Sequence, residues 1–272
     1  MRRIPLILGL AFLGAGCGHS SRDAVTTAQP VSTIATTTAA APSTTTTSST
    51  TAASTTQTQP AQTITLRVYF LRDGKVAPVA RAVPATQAVA TAALHALFAG
   101  PTESGLTSAI PPGTAAPAVT VDGGVATVDF PTGLSHAAVA QVVYTLTQFP
   151  TVRAVRGTRS LEGEKLTRAD FGDVTPAILV ESPLPGERVT TPLRVRGTAN
   201  TFEATFTLEI RNSSNRTLTR QTVTATSGSG TRGTFAETIS FTATGPIWLV
   251  AYEPSAENGR PLHTVRIPLV TG

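Results

Sequence analysis

This 272-residue chain offers few starting points for chemistry. It has one cysteine, Cys17, and four histidines, His19, His95, His136 and His263, none at ligand spacing from another. With no second thiol, neither a disulfide nor a thiolate metal site is open to Cys17. Acidic pairs such as Asp122 and Asp129 have the residue type for proton transfer, but hairpin position and exposure account for them. Gly228-Ser229-Gly230-Thr231-Arg232-Gly233 spells GxGxxG, which holds pyrophosphate only between a parallel strand and a helix N-terminus. Here it joins two predicted strands and reads as a flexible hairpin loop. Asp170-Phe171-Gly172 has the letters of a kinase magnesium motif without the lysine strand or catalytic loop, and reads as a turn ending a domain. No Gly-x-Ser-x-Gly elbow occurs. These residues point away from an enzyme, and no cofactor or metal is expected.

Cys17 sits where a different chemistry applies. Arg2 and Arg3 precede an apolar run from Ile4 to Phe12, and Leu13-Gly14-Ala15-Gly16 lead to the thiol. The apolar stretch is too short to span a bilayer and has the layout of a secretory leader. The segment resembles a bacterial lipobox, which implies that Cys17 takes a diacylglycerol and becomes the new N-terminus. The leucine stands four residues before the cysteine where three is usual. Two or more acyl chains give durable attachment to the outer face of the cell membrane.

Between residues 18 and 62 the chain is almost entirely Thr, Ala, Ser, Pro and Gln. Such a tract cannot bury enough surface to offset its ordering entropy and is expected to be a disordered tether. As a flexible coil it spans roughly 35–40 Å on average. The net charge of +5 and pI near 10.1 mimic a nucleic-acid binder. Yet residues 63–175 hold nine basic and eight acidic side chains, and residues 176–272 hold nine and seven. Neither half has the clustered cations that a phosphate groove needs, so nucleic acid is rejected as a partner.

Residues 63–175 alternate between strand and helix periodicity. Ile64, Leu66, Val68 and Phe70 alternate with polar positions, Asp73-Gly74-Lys75 turns the chain, and a second strand runs through Val83. A helix is predicted over Thr86–Ala99, then a hairpin at Val119–Val121 and Val125–Phe130. A second helix follows over Ser135–Gln148, capped by Ser135, with Ala138, Val142, Leu146 and Phe149 inward. A strand near Val152–Gly157 completes an α+β unit with helices on one sheet face. Leu97-Phe98-Ala99-Gly100-Pro101-Thr102, Ala109-Ile110-Pro111-Pro112-Gly113-Thr114, Val121-Asp122-Gly123-Gly124-Val125 through Phe130, and Gln141-Val142-Val143-Tyr144-Thr145-Leu146-Thr147 make this unit similar to the GerMN domain. That resemblance implies a sporulation or germination setting, and a place among actinobacterial envelope lipoproteins.

Residues 176–270 read as strands throughout. Seven short segments, from Ile178–Val180 to Val265–Leu269, are separated by turn-rich pieces, which predicts an all-β immunoglobulin-like sandwich. Phe206, Leu208, Ile210, Trp248, Val250 and Val265 are its expected core. Ile178-Leu179-Val180-Glu181-Ser182-Pro183, Val195-Arg196-Gly197-Thr198-Ala199-Asn200 and Val265-Arg266-Ile267-Pro268 resemble the Gmad2 module. Binding by such folds is concentrated in end loops, so Asn200, Phe202 and Glu203 are the candidate ligand-binding residues. Glu253, beside Tyr252, is a weaker candidate, and a buried Phe202 is the competing expectation.

Together these readings predict a leader over 1–17, a tether over 18–62, a GerMN-like domain over 63–175 and a Gmad2-like domain over 176–270. The expected function is a non-enzymatic cell-envelope lipoprotein that binds or scaffolds, with peptidoglycan or an envelope protein as partner. The alternatives are an accessory lipoprotein of a membrane sensor kinase or transporter, and a wall hydrolase with an unrecognised site.

Overall fold

The structure, a computed structural model, describes residues 62–158 and 164–272. The leader, Cys17 and nearly all of the expected tether lie outside the described residues. Among the described residues no helix is long and apolar enough to cross a membrane.

The chain opens with a hairpin of β1 (Thr63–Arg72) and β2 (Lys75–Pro84). Arg72 pairs with Lys75 across a two-residue turn, where Asp73 and Gly74 both take positive φ, as the right-handed twist of paired strands favours. Helix α1 (Val89–Phe98) follows, burying Ala93, Leu94, Leu97 and Phe98. A second hairpin, β3 (Val119–Asp122) and β4 (Val125–Val128), leads to α2 (His136–Leu146). The Ser135 hydroxyl accepts from Ala138 N at 3.3 Å, capping α2. The chain then returns as β5 (Ala154–Gly157), parallel to β4, and pairs with β6 (Lys165–Leu166). A 3-10 turn, Arg168–Val174, closes the unit.

The α+β class stands, but the strands divide into two sheets, β1-β2 and β3-β4-β5-β6. The reason lies on α2 and the turn that follows it. Gln148 accepts from Arg67 N at 2.8 Å and donates to Arg67 O. Thr145 accepts from Tyr69 N at 3.1 Å, and Gln141 donates to Tyr69 O at 3.1 Å. Leu71 exchanges backbone hydrogen bonds with Thr107. The edge of β1 is therefore satisfied by Gln141 and Thr145 from one face of α2 and by Gln148 in the turn just past its C-terminus. No further strand is needed there.

The second unit is a sandwich. One sheet has the order β12 (Gly233–Ile239), β9 (Leu193–Ala199), β7 (Ile178–Ser182). The other runs β11 (Thr217–Thr224), β10 (Thr205–Asn212), β13 (Pro246–Pro254), β14 (Pro261–Thr271), β8 (Arg188–Val189). All pairings are antiparallel except β14 with β8. Phe206, Leu208 and Ile210 lie in the core as expected. Val265 packs half-buried against it, whereas Trp248 is half-buried and Val250, though buried, lies outside this cluster: Ile247, Leu249 and Ala251 point into it instead. The run Ile247–Tyr252 is apolar or aromatic at every position, so alternation carries no phase. Val250 sits opposite Glu209 on the outer face. There the buried Glu209 accepts from Arg211 Nε and Arg220 Nε, both at 2.6 Å, and from Tyr252 Oη at 3.0 Å.

Strand β7 serves both units. Ile178 and Val180 face the sandwich core, while Leu179 joins the α+β core. The next residue on that second face, Glu181, enters a polar cluster between the units. Tyr69 Oη donates to it, Arg168 Nη1 lies 2.6 Å away and Arg67 Nη1 3.7 Å. Arg168 also covers the Tyr69 and Tyr144 rings, at 5.3 and 4.7 Å from their centroids. Arg232, from the sandwich, donates to Pro176 O at 2.7 Å. The described residues consequently belong to one compact unit.

Candidate binding surface

One end of the sandwich displays an aromatic side chain on a strained turn. After β9 the chain makes a 3-10 turn, Phe202–Ala204, before β10 begins. Glu203 and Ala204 both take left-handed conformations, with φ of 52° and 59°. For non-glycine residues that costs about 1–2 kcal/mol each. Surrounding contacts hold the turn in place. Ala204 N donates to Thr201 O at 3.1 Å and Ala225 N to Ala204 O at 2.9 Å. Phe202 N donates to a carboxylate oxygen of Glu253 at 2.7 Å, a charge-assisted bond.

The loop between β11 and β12 forms the second wall. Ser229 accepts from Glu203 N at 3.1 Å, its own N–H donates to Thr201 O at 3.0 Å, and Gly230 N donates to Asn200 Oδ1 at 2.9 Å. A Cβ on Gly228 would lie 2.5 Å from the backbone of Ala204, so only glycine permits this approach. The GxGxxG segment, expected to be flexible, is therefore docked onto the turn. The Thr201 hydroxyl beneath is buried with no partner among the described residues.

Phe202 is 60% exposed on this support, which overturns the expectation of a buried ring. Asn200, Phe202 and Glu203 come together on one turn, with different roles. Asn200 spends its carboxamide oxygen on Gly230, while Glu203 is exposed. Glu253, the weaker candidate, anchors the turn, and its other oxygen lies 3.8 Å from His263 Nε2. Leu262, 45% exposed, pairs with Glu253 across β13 and β14. Two exposed apolar side chains thus flank one carboxylate. Ser229, Gly228 and Leu262 were missed by the sequence reading, because their part depends on contacts between distant loops.

The remaining candidates are elsewhere. His136 lies 3.0 Å from Asp173 and stacks on the buried Phe171 of the Asp170-Phe171-Gly172 turn at 4.8 Å. Asp129 accepts from the Thr158 hydroxyl at 2.7 Å. Among the described residues no group of three or more His, Cys, Asp or Glu is placed to hold a metal. The chemistry at the Phe202 end is apolar contact from a preorganised aromatic, the residue type that anchors interfaces.

Comparison with known proteins bears on both units. Residues 67–166 match the Germane family, described as sporulation and spore germination. Residues 177–260 match Gmad2, described as an immunoglobulin-like domain of bacterial spore germination. A solved structure of the tandem GerMN domains of the sporulation protein GerM from Bacillus subtilis is similar at 15% identity, covering 66% of this chain, with a TM-score of 0.35. The chain spans 62% of that structure's length. No curated protein matches.

Proposed function

Since the chain carries a Germane domain followed by a Gmad2 domain, we propose that it is a non-enzymatic envelope lipoprotein that binds a wall or envelope partner. In this reading Cys17 carries the lipid, the Thr/Ser-rich tract is the leash, and the two packed domains are presented outside the cell membrane. The observation that carries the binding role is Phe202, held 60% exposed on a turn with two left-handed non-glycine residues. An exposed ring on a rigid support loses little entropy when a partner covers it.

In-cell crosslinking with mass spectrometry, run beside retention on purified sacculi, tests this. The wild type is expected to capture an envelope protein or to stay on washed sacculi, and Phe202→Ala is expected to lose that capture with its melting temperature unchanged. Equal capture by both removes Phe202 from the reading. Release of soluble fragments from sacculi replaces binding with hydrolysis. Cys17→Ala is expected to abolish lipidation and leader cleavage, and membrane attachment like that of wild type would overturn the anchor.

A further inference from the structure

Strand β14 is paired on both sides for only part of its length. Along one side it follows β13, but β8 meets the other side only at Val270 and Thr271. Just before that, Gly186 N donates to Pro268 O at 2.8 Å, and Val270 N donates to Glu187 O at 3.1 Å. Residues 268 and 270 therefore turn their backbone groups away from β13. By strand alternation so does Arg266, with both its N–H and its C=O. The C=O of Thr264 shares that direction, because the two groups of one peptide unit point oppositely. Proline at 268 removes one donor from this edge, a common way of blunting it. The acceptor–donor–acceptor row of Thr264 O, Arg266 N and Arg266 O is left without a strand partner among the described residues.

This row borders a cleft of about 290 Å³ between β14, β7 and the β1–β2 hairpin. Its lining is largely apolar, with Ala77, Pro176, Ala177 and Pro185 half-buried along it and Pro78, Ile178 and Val180 buried beneath. The hairpin turn adds Arg72 and Lys75, both exposed, with Asp73 the one carboxylate among the lining residues. Lys75 Nζ donates to Asp173 O, a backbone carbonyl. The Arg266 guanidinium is turned away, lying 4.9 Å from the Trp248 ring centroid and 3.1 Å from Asn215 Oδ1.

We propose that this cleft takes an extended peptide segment of a partner protein, which adds as a strand to β14 at Thr264–Arg266 and presents a carboxylate to Arg72 and Lys75. A strand docked there makes hydrogen bonds through its main chain, sends alternate side chains to the apolar wall, and turns the others to the cationic rim. The recognising groups are a backbone row at strand spacing, which suits a peptide rather than a glycan. This inference does not rest on the Phe202 surface.

The test uses the full isotope-labelled chain and an acetylated, amidated octapeptide of alternating Asp and Val. The peptide is expected to shift the Arg266 amide resonance and slow its hydrogen exchange, and a version N-methylated at alternate amides is expected to do neither. Replacing Asp by Lys in the peptide is expected to weaken binding by about fivefold or more. Arg72→Glu combined with Lys75→Glu, on an exposed turn, should weaken binding of the Asp peptide to a similar degree while leaving the fold intact. An Arg266 amide that ignores the Asp peptide overturns the proposal, as does an equal response to the N-methylated or Lys peptide. A response to soluble peptidoglycan fragments in place of the peptide overturns it too.

Discussion

Gly228 and Glu253 determine where Phe202 stands. The first allows two loops to meet at backbone distance, and the second holds Phe202 N. Gly228→Ala pushes a methyl group against Ala204 and is expected to cost about 2 kcal/mol. Urea unfolding should show a lower midpoint at unchanged slope, with faster amide exchange over 200–204. Unchanged stability would mean that the loops are not docked as described. Phe202→Ala, by contrast, should stay within about 0.5 kcal/mol of wild type, because the ring is exposed. Sequence placed Asn200, Phe202 and Glu203 on an end loop from turn spacing alone. It could not give the exposure of the ring, which depends on a loop some 25 residues further on.

At the level of elements, α2 acts as a substitute strand. Gln141 is fully buried; it accepts from Ala109 N at 2.8 Å while donating to Tyr69 O. Gln141→Ala strands both backbone groups away from water and is expected to cost about 2–4 kcal/mol. Gln148→Ala, at a half-buried position, should cost less. Chemical denaturation of the two variants reads this order directly, and the reverse order would contradict the edge-pairing role of α2. Helical periodicity revealed the apolar stripe of α2, but polar residues at 141, 145 and 148 look like a solvated face until β1 is seen beside them. A polar stripe at helical spacing next to an apolar one was the available signal. On β13 the phase was illegible for the opposite reason: every position is apolar or aromatic.

The whole molecule is held together through Glu181. Burial raises its pKa, but Arg168 and the Tyr69 hydrogen bond outweigh burial and hold it below the ordinary value. Glu209 behaves alike: burial opposes ionisation, and hydrogen bonds from Arg211, Arg220 and Tyr252 prevail. The hydrogen bond from Arg81 takes Glu103 down to about 2, although its exposure limits what that contributes. All three are depressed, so their stabilisation is complete above the unfolded-state pKa near 4.5 and disappears as pH falls through the lower folded values. Thermal melts should therefore decline on acidification from about pH 4.5 downward. Glu181→Gln should flatten part of that decline, cost about 3 kcal/mol and split one unfolding transition into two. A single unchanged transition would show that the cluster does not couple the domains. Tyr69 has the opposite sign. Burial raises its pKa far above that of a free phenol, so its contribution is present below pH 10 and is lost as pH rises beyond it.

Local order is what the sequence determined unaided: the succession of strands and helices, the Ser135 cap, the Asp73-Gly74 turn and the two domain classes. Each depends on residues close together in the chain, where periodicity and turn chemistry act directly. Tertiary structure alone decided which strand edges were closed by side chains, which face of β13 turned inward and that β7 is shared by two cores. It alone also placed Phe202 in the open. These outcomes depend on groups brought together from 25 to more than 100 positions apart, as Tyr69 and Glu181 are. Hydrogen-bond satisfaction and packing act on distance in space, which one-dimensional spacing does not record.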